Sequence, residues 1–156
     1  MAPKPQTQHW KKQFILLKEY AEARNWHVRT SKFLSHEADE GKRLITIQQT
    51  TPESMVYYLM HEIGHSILFS SDAYTTSLCN FAQARERKAY GTMQYRTGKV
   101  EEEIAAWNTG KQIAEFLGVE INEKNYNKLK AKCLASYMVW AVKRQTRNQN
   151  DNTNDN

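Results

Sequence analysis

Residues 51–69 constrain this chain more than any other stretch. Thr51 offers a hydroxyl N-cap, Pro52 sits where a first helical residue needs no N–H, and Glu53 places negative charge in the first turn. A helix is therefore expected over residues 52–69. Along it Val56, Leu59, Met60, Ile63 and Ile67 fall on one side, and His61 and His65 project from nearly the opposite side. One face is expected to dock on the rest of the fold while the other looks into a cleft.

Two histidines four residues apart stand one helical turn apart, so their imidazoles can converge on one ion, and an acid between them can reach a water held there. His61-Glu62-Ile63-Gly64-His65 supplies that pattern. A catalytic zinc keeps three protein ligands and one open position, so a third ligand must come from elsewhere. Glu101-Glu102-Glu103 is the evident source. Val100, Ile104, Trp107, Ala114 and Leu117 mark the apolar side of a helix expected over residues 99–117 and stopped by Gly118. At roughly 100° per residue, Glu103 falls near the middle of that side and Glu101 falls opposite. A carboxylate on an apolar face is costly unless it is paired or coordinated. Glu103 is the expected third ligand, with Glu102 in reserve. Glu62 is the expected general base.

Elsewhere, residues 6–24 carry Trp10, Phe14, Leu17 and Ala21 on one helical face, which predicts an amphipathic first helix. Trp26-His27-Val28-Arg29 and Leu44-Ile45-Thr46-Ile47-Gln48 read as strands with the turn Asp39-Glu40-Gly41-Lys42 between them, which predicts a small antiparallel sheet. Residues 70–99 keep no single period. Polar Ser70-Ser71-Asp72, a helix-like run from Phe81 to Ala89 and a loop from Gly91 to Gly98 read as an insertion over the site. A last helix is expected over residues 122–143, with Tyr126, Leu129, Cys133, Tyr137 and Trp140 along one side. The fold class is α+β: an N-terminal helix and small antiparallel sheet packed on the His-bearing helix, followed by further helices. Residues 1–146 form one domain, and the Asn-rich residues 147–156, with nothing apolar to bury, form a disordered tail.

Composition limits the function classes. With 40% hydrophobic residues the chain can bury a real core without disulfides. No apolar run is long enough to span a bilayer, and residues 1–6 carry no secretory signal, so a cytoplasmic protein is expected. Cys79 and Cys133 lack metal-site spacing and read as buried reduced thiols. His9, His27 and His36 precede the paired histidines without ligand-like spacing and read as surface or sheet residues. The net charge of +5 favours an acidic partner, nucleic acid included.

His61-Glu62-Ile63-Gly64-His65 together with Glu103-Ile104-Ala105-Ala106-Trp107 resembles the glutamate-type zincins, specifically the compact ImmA/IrrE-like and phage-encoded minimal metallopeptidases. The longer zincin pattern is absent: Leu68 and Ser71 occupy its glycine and histidine positions, and Asp72 is one place out of register. The resemblance implies a minimal zincin fold, a zinc cofactor, hydrolysis of a protein or peptide substrate, and, for a phage-encoded member, the host cytoplasm as its setting. An oxyanion donor is needed beside the metal, and Tyr90, Tyr95 and Arg96 are the sequence candidates. The basic, aromatic-interleaved residues 85–99 read as a wall of the cleft or as a solvated helix face. The alternative function is a basic nucleic-acid- or partner-binding protein with a structural or vestigial zinc site, to which Lys128, Lys130, Lys132, Lys143, Arg144 and Arg147 point.

Overall fold

The computed structural model describes residues 5–70 and 91–151, with side chains over residues 6–70 and 91–142. Helix α1 (Pro5–Glu22) buries Trp10, Leu17 and Ala21, and Phe14 is partly buried beside them, as their spacing requires. It ends where Asn25 takes a φ of 61°, a left-handed conformation that asparagine tolerates, and the Trp26 N–H donates back to the Ala21 carbonyl at 3.1 Å.

Strands β1 (His27–Ser31), β2 (Glu37–Asp39) and β3 (Leu44–Gln48) follow, in the sheet order β1-β3-β2. The sheet is mixed, not purely antiparallel: Val28 of β1 pairs in parallel with Ile45, and Ala38 of β2 pairs with it antiparallel. The count of reversals explains this. Short, polar β2 carries no strand pattern in the sequence, yet it turns the chain back once before the turn at residues 40–43 turns it again, so β3 runs the same way as β1. Asp39 fixes the second reversal by accepting the Lys42 backbone N–H at 3.0 Å and its Nζ at 2.6 Å. Central β3 sends Ile45 and Ile47 into the core that packs against α2.

Helix α2 (Pro52–Phe69) starts as the sequence requires, with Thr51 extended and its hydroxyl accepting the Ser54 N–H at 3.3 Å. From Val56 to Ser66 it is buried on nearly every side, because α1 and the sheet cover one flank and α3 covers the other. The histidine side is therefore a packed helix contact, not the open cleft wall that the pattern of α2 alone predicts. Helix α3 (Met93–Phe116) begins ahead of the expected residue 99 because the Thr92 hydroxyl caps it, accepting the Tyr95 N–H at 3.2 Å. Residues 93–98, expected as loop, are helical. Gly118, at φ 74°, closes α3 where the sequence places the stop.

Helix α4 (Glu123–Asp151) packs on α3 and continues past the expected end at residue 143. Ser71, Asp72, Cys79, the run from Phe81 to Ala89, Tyr90 and residues 152–156 lie outside the described residues, as do the side chains of Lys143, Arg144 and Arg147. Among the described residues no helix is long and apolar enough to cross a membrane.

Candidate metal centre

Helices α2 and α3 meet backbone to backbone. A β-carbon on Gly64 would overlap the Ala106 carbonyl oxygen, and one on Gly110 would overlap the Met60 carbonyl oxygen. As the chain advances along α3 the touching residue of α2 recedes, so the helices run antiparallel. Close approach at two points one helical turn apart brings the neighbouring side chains of the two helices into contact, among them His61 and His65 of α2 and Glu103 of α3.

Glu103 is the acid that reaches both histidines. Its Oε2 lies 3.2 Å from His61 Nε2 and 3.5 Å from His65 Nε2, and the residue is 1% exposed. Despite these approaches, Oε2 has no hydrogen-bond partner. Such spacing is what donors sharing an ion require: with metal–ligand bonds of about 2.0–2.1 Å, neighbouring corners of a tetrahedron stand about 3.3–3.4 Å apart. The three donors lie within 4.8 Å of one another and are the one such group among the described residues.

Surrounding residues hold these ligands in place. Lys99 Nζ pairs with Glu103 Oε1 at 3.0 Å, which turns Oε2 towards the histidines. It also reaches Glu102 Oε1 at 3.2 Å, and that same oxygen lies 3.3 Å from His65 Nδ1. Glu102, the reserve ligand of the sequence, thus stands behind His65, where a carboxylate orients a metal-binding imidazole. Glu101 is exposed, as its place on the helix requires. The His61 ring stacks on Trp107 at 4.4 Å and 21°, and Tyr126 braces Trp107 by an edge contact at 5.6 Å and a 2.8 Å hydrogen bond to its carbonyl.

The electrostatics favour a cation. Glu62, Glu102 and Glu103 are all buried, and Lys99 is the only ammonium that pairs with them in the described residues. Ionised, and with both imidazoles neutral as metal ligands must be, three carboxylates against one ammonium leave an excess that a divalent cation would balance; without the ion, a proton on His65 offsets part of it. Burial opposes charge on His65, but Glu102 and Glu103 outweigh it and push its pKa up to about 9. Burial also works to raise Glu103, yet its contacts with His61 and His65 hold the carboxyl well below the usual range. For Glu62 burial prevails, and its pKa stands above the usual carboxylate value despite the neighbouring histidines. His61 Nδ1, His65 Nδ1, Glu102 Oε2 and Glu103 Oε2 are buried polar atoms without hydrogen bonds. Two imidazoles and a carboxylate with a fourth position open are a catalytic zinc donor set, so the residues present fit the ion.

The buried triad of His61, His65 and Glu103, with Glu62 between the histidines, matches the active site of an HExxH-type zincin metallopeptidase. Comparisons with models of protein families, with curated proteins and with solved structures found no match to this chain.

Other sequence candidates fall elsewhere. Arg96 is buried, with Nε and Nη1 unpartnered, but it precedes Glu103 by seven residues, roughly 10 Å of helix. Tyr95 packs edge-on against Trp140 at 6.5 Å and lines a cavity of about 270 Å³ with Lys99, Ser136, Tyr137 and Trp140. Lys130 bonds Asn108 Oδ1 at 2.7 Å, and Lys128 and Lys132 border a shallow pocket between α2 and α4. The sequence reading missed Lys99, which looked like surface charge at a helix start. It also missed the paired glycine contacts, for which Gly64 and the Ala106–Gly110 spacing were the available signal, and the position of His36.

Proposed function

We propose that this protein is a zinc-dependent peptidase in which His61, His65 and Glu103 hold the metal and Glu62 is the general base. Zinc bound there would lower the pKa of a water towards about 7 and polarise a peptide carbonyl. Glu62, raised by burial, accepts the proton released as the water attacks and delivers it to the departing amine. Lys99 keeps Glu103 in its ligand orientation, and Glu102 does the same for His65. The substrate is a protein or peptide. Its proposed setting is the reducing cytoplasm, where a thiol such as that of Cys133 stays reduced. The observation that carries this reading is Glu103 Oε2, a buried carboxylate oxygen shared by two imidazole nitrogens without a hydrogen bond to either.

The test is zinc per chain by elemental analysis after dialysis, on wild type, His65→Ala, Glu103→Ala and Glu62→Gln, with circular dichroism to establish folding. One zinc per chain is expected in wild type and Glu62→Gln, and a sharp loss in the two folded ligand variants. Wild type that holds no zinc even after reconstitution would overturn the reading. Salt-sensitive DNA binding in that protein would then favour the basic surface as its working part.

A further inference from the structure

The metal centre needs a donor for the carbonyl oxygen of its substrate, and among the described residues neither Tyr95 nor Arg96, named for that role by the sequence, contacts the ligands. His36 approaches the ligand-bearing face of α2 through Tyr58. The Gln48 backbone N–H donates to its Nδ1 at 3.1 Å, so Nδ1 is the bare nitrogen and the ring's proton sits on Nε2. The ring lies flat on Tyr58, with centroids 3.4 Å apart and planes 16° from parallel. Tyr58 precedes His61 by three residues and Glu62 by four, so it shares their face of α2 and lies one turn, about 5 Å, away. Upstream, the Ser31 hydroxyl accepts the N–H groups of Phe33 and Leu34 at 3.2 and 3.1 Å, which shapes the approach to His36. No described residue accepts a hydrogen bond from Nε2.

A partly buried imidazole fixed by a backbone hydrogen bond and an aromatic stack, with its own donor unspent, is preorganised to bind an oxygen. Burial, reinforced by His61, also lowers its pKa to about 4, which keeps the ring neutral and the tautomer single at neutral pH. The Tyr137 hydroxyl lies near Glu103, and burial and that carboxylate push its pKa up.

We propose that His36 is a further catalytic residue, whose Nε2–H donates a hydrogen bond to the scissile carbonyl oxygen of the substrate peptide. This rests on the peptidase reading above. As water adds to the carbonyl carbon, the carbon–oxygen π pair moves onto oxygen and Glu62 takes the water's proton. When that pair returns, the carbon–nitrogen bond breaks and the amine takes the proton from Glu62. His36 keeps its own proton throughout.

The test compares zinc-loaded wild type with His36→Phe, which keeps the stack on Tyr58 and loses the donor, and with His36→Gln, which restores one. Two probes are titrated by calorimetry: a phosphinic Ala–Ala pseudodipeptide, whose tetrahedral oxygens stand where the oxyanion does, and mercaptoacetyl-alanine amide, which offers zinc a sulfur and no such oxygen. With equal zinc content in all three proteins, His36→Phe should bind the phosphinate on the order of 100-fold more weakly. It should bind the thiol as wild type does, and His36→Gln should recover part of the loss. In ¹⁵N-labelled protein His36 should show a protonated Nε2 and a bare Nδ1. An equal loss for both probes, or no loss for the phosphinate, overturns the role of His36 alone. Zinc-loaded wild type that binds neither probe sinks the peptidase reading and this inference with it.

Discussion

A β-carbon at Gly64 would overlap the carbonyl oxygen of Ala106, so the helix contact that joins the histidines to Glu103 tolerates no side chain at that point. Alanine normally gains about 1 kcal/mol over glycine inside a helix. Here the overlap involves backbone, which cannot swing aside, and it should dominate. Gly64→Ala and Gly110→Ala are each expected to lose roughly 2–4 kcal/mol in denaturant unfolding. Both should also hold less zinc, because the helices must part. Wild-type stability in either variant would show that the contact is looser than described.

Lys99 sets which oxygen Glu103 presents. Lys99→Met keeps the length of the side chain and removes the ammonium that holds Oε1. Zinc affinity, measured by competition with a chromophoric chelator, is expected to fall about 10- to 100-fold. Glu101→Gln, on the exposed side of the same helix, should leave affinity unchanged and serves as the control.

Tyr126 braces the ring behind His61 without touching the ligands. Tyr126→Phe removes its buried 2.8 Å hydrogen bond to the Trp107 carbonyl while keeping the ring. A loss of about 1–2 kcal/mol in unfolding free energy is expected. Zinc stoichiometry should not change, since no donor is lost.

His36 makes stability depend on acid. Its folded pKa, lowered by burial and by His61 from 6.5 to about 4, lies below its unfolded value, so the unfolded chain binds this proton more readily. Above pH 6.5 the residue is neutral in both states and contributes no pH dependence. As pH falls from 6.5 to 4, the fold loses roughly 2–3 kcal/mol at this residue. Urea unfolding of metal-free wild type and His36→Phe at several pH values isolates the effect, because the other acid-sensitive groups are common to both. Parallel stability curves for the two proteins would contradict it.

Much of this arrangement was legible in the sequence because it is local. The Thr51 cap and the His61–His65 spacing arise within a few turns of α2, the polarity change around Glu103 within a few turns of α3, and each stands as expected. The parallel pairing of β1 with β3 was not legible, because β2 is too short and polar to announce a strand. Nor was the early start of α3, where the Thr92 cap competes with Gly98 and wins. His36 was read as an ordinary sheet or surface residue. Its place over Tyr58 is a long-range outcome of the β1–β3–β2 order, which no periodicity records. The choice between Glu102 and Glu103 was narrowed by helical angle and is resolved by contact: one faces both Nε2 atoms, and the other backs Nδ1 of His65.

The two histidines and Glu103 belong to helices that touch only after the chain has folded, so an ion gripping all three acts as a tertiary fastening. Its binding energy is then shared with the closure of α2 on α3. Free zinc a hundredfold above the dissociation constant would add about 2.7 kcal/mol to the folded state. The surrounding zinc supply thereby becomes a control on how much intact protein exists at all, and scarcity would thin the population before it slowed any single molecule.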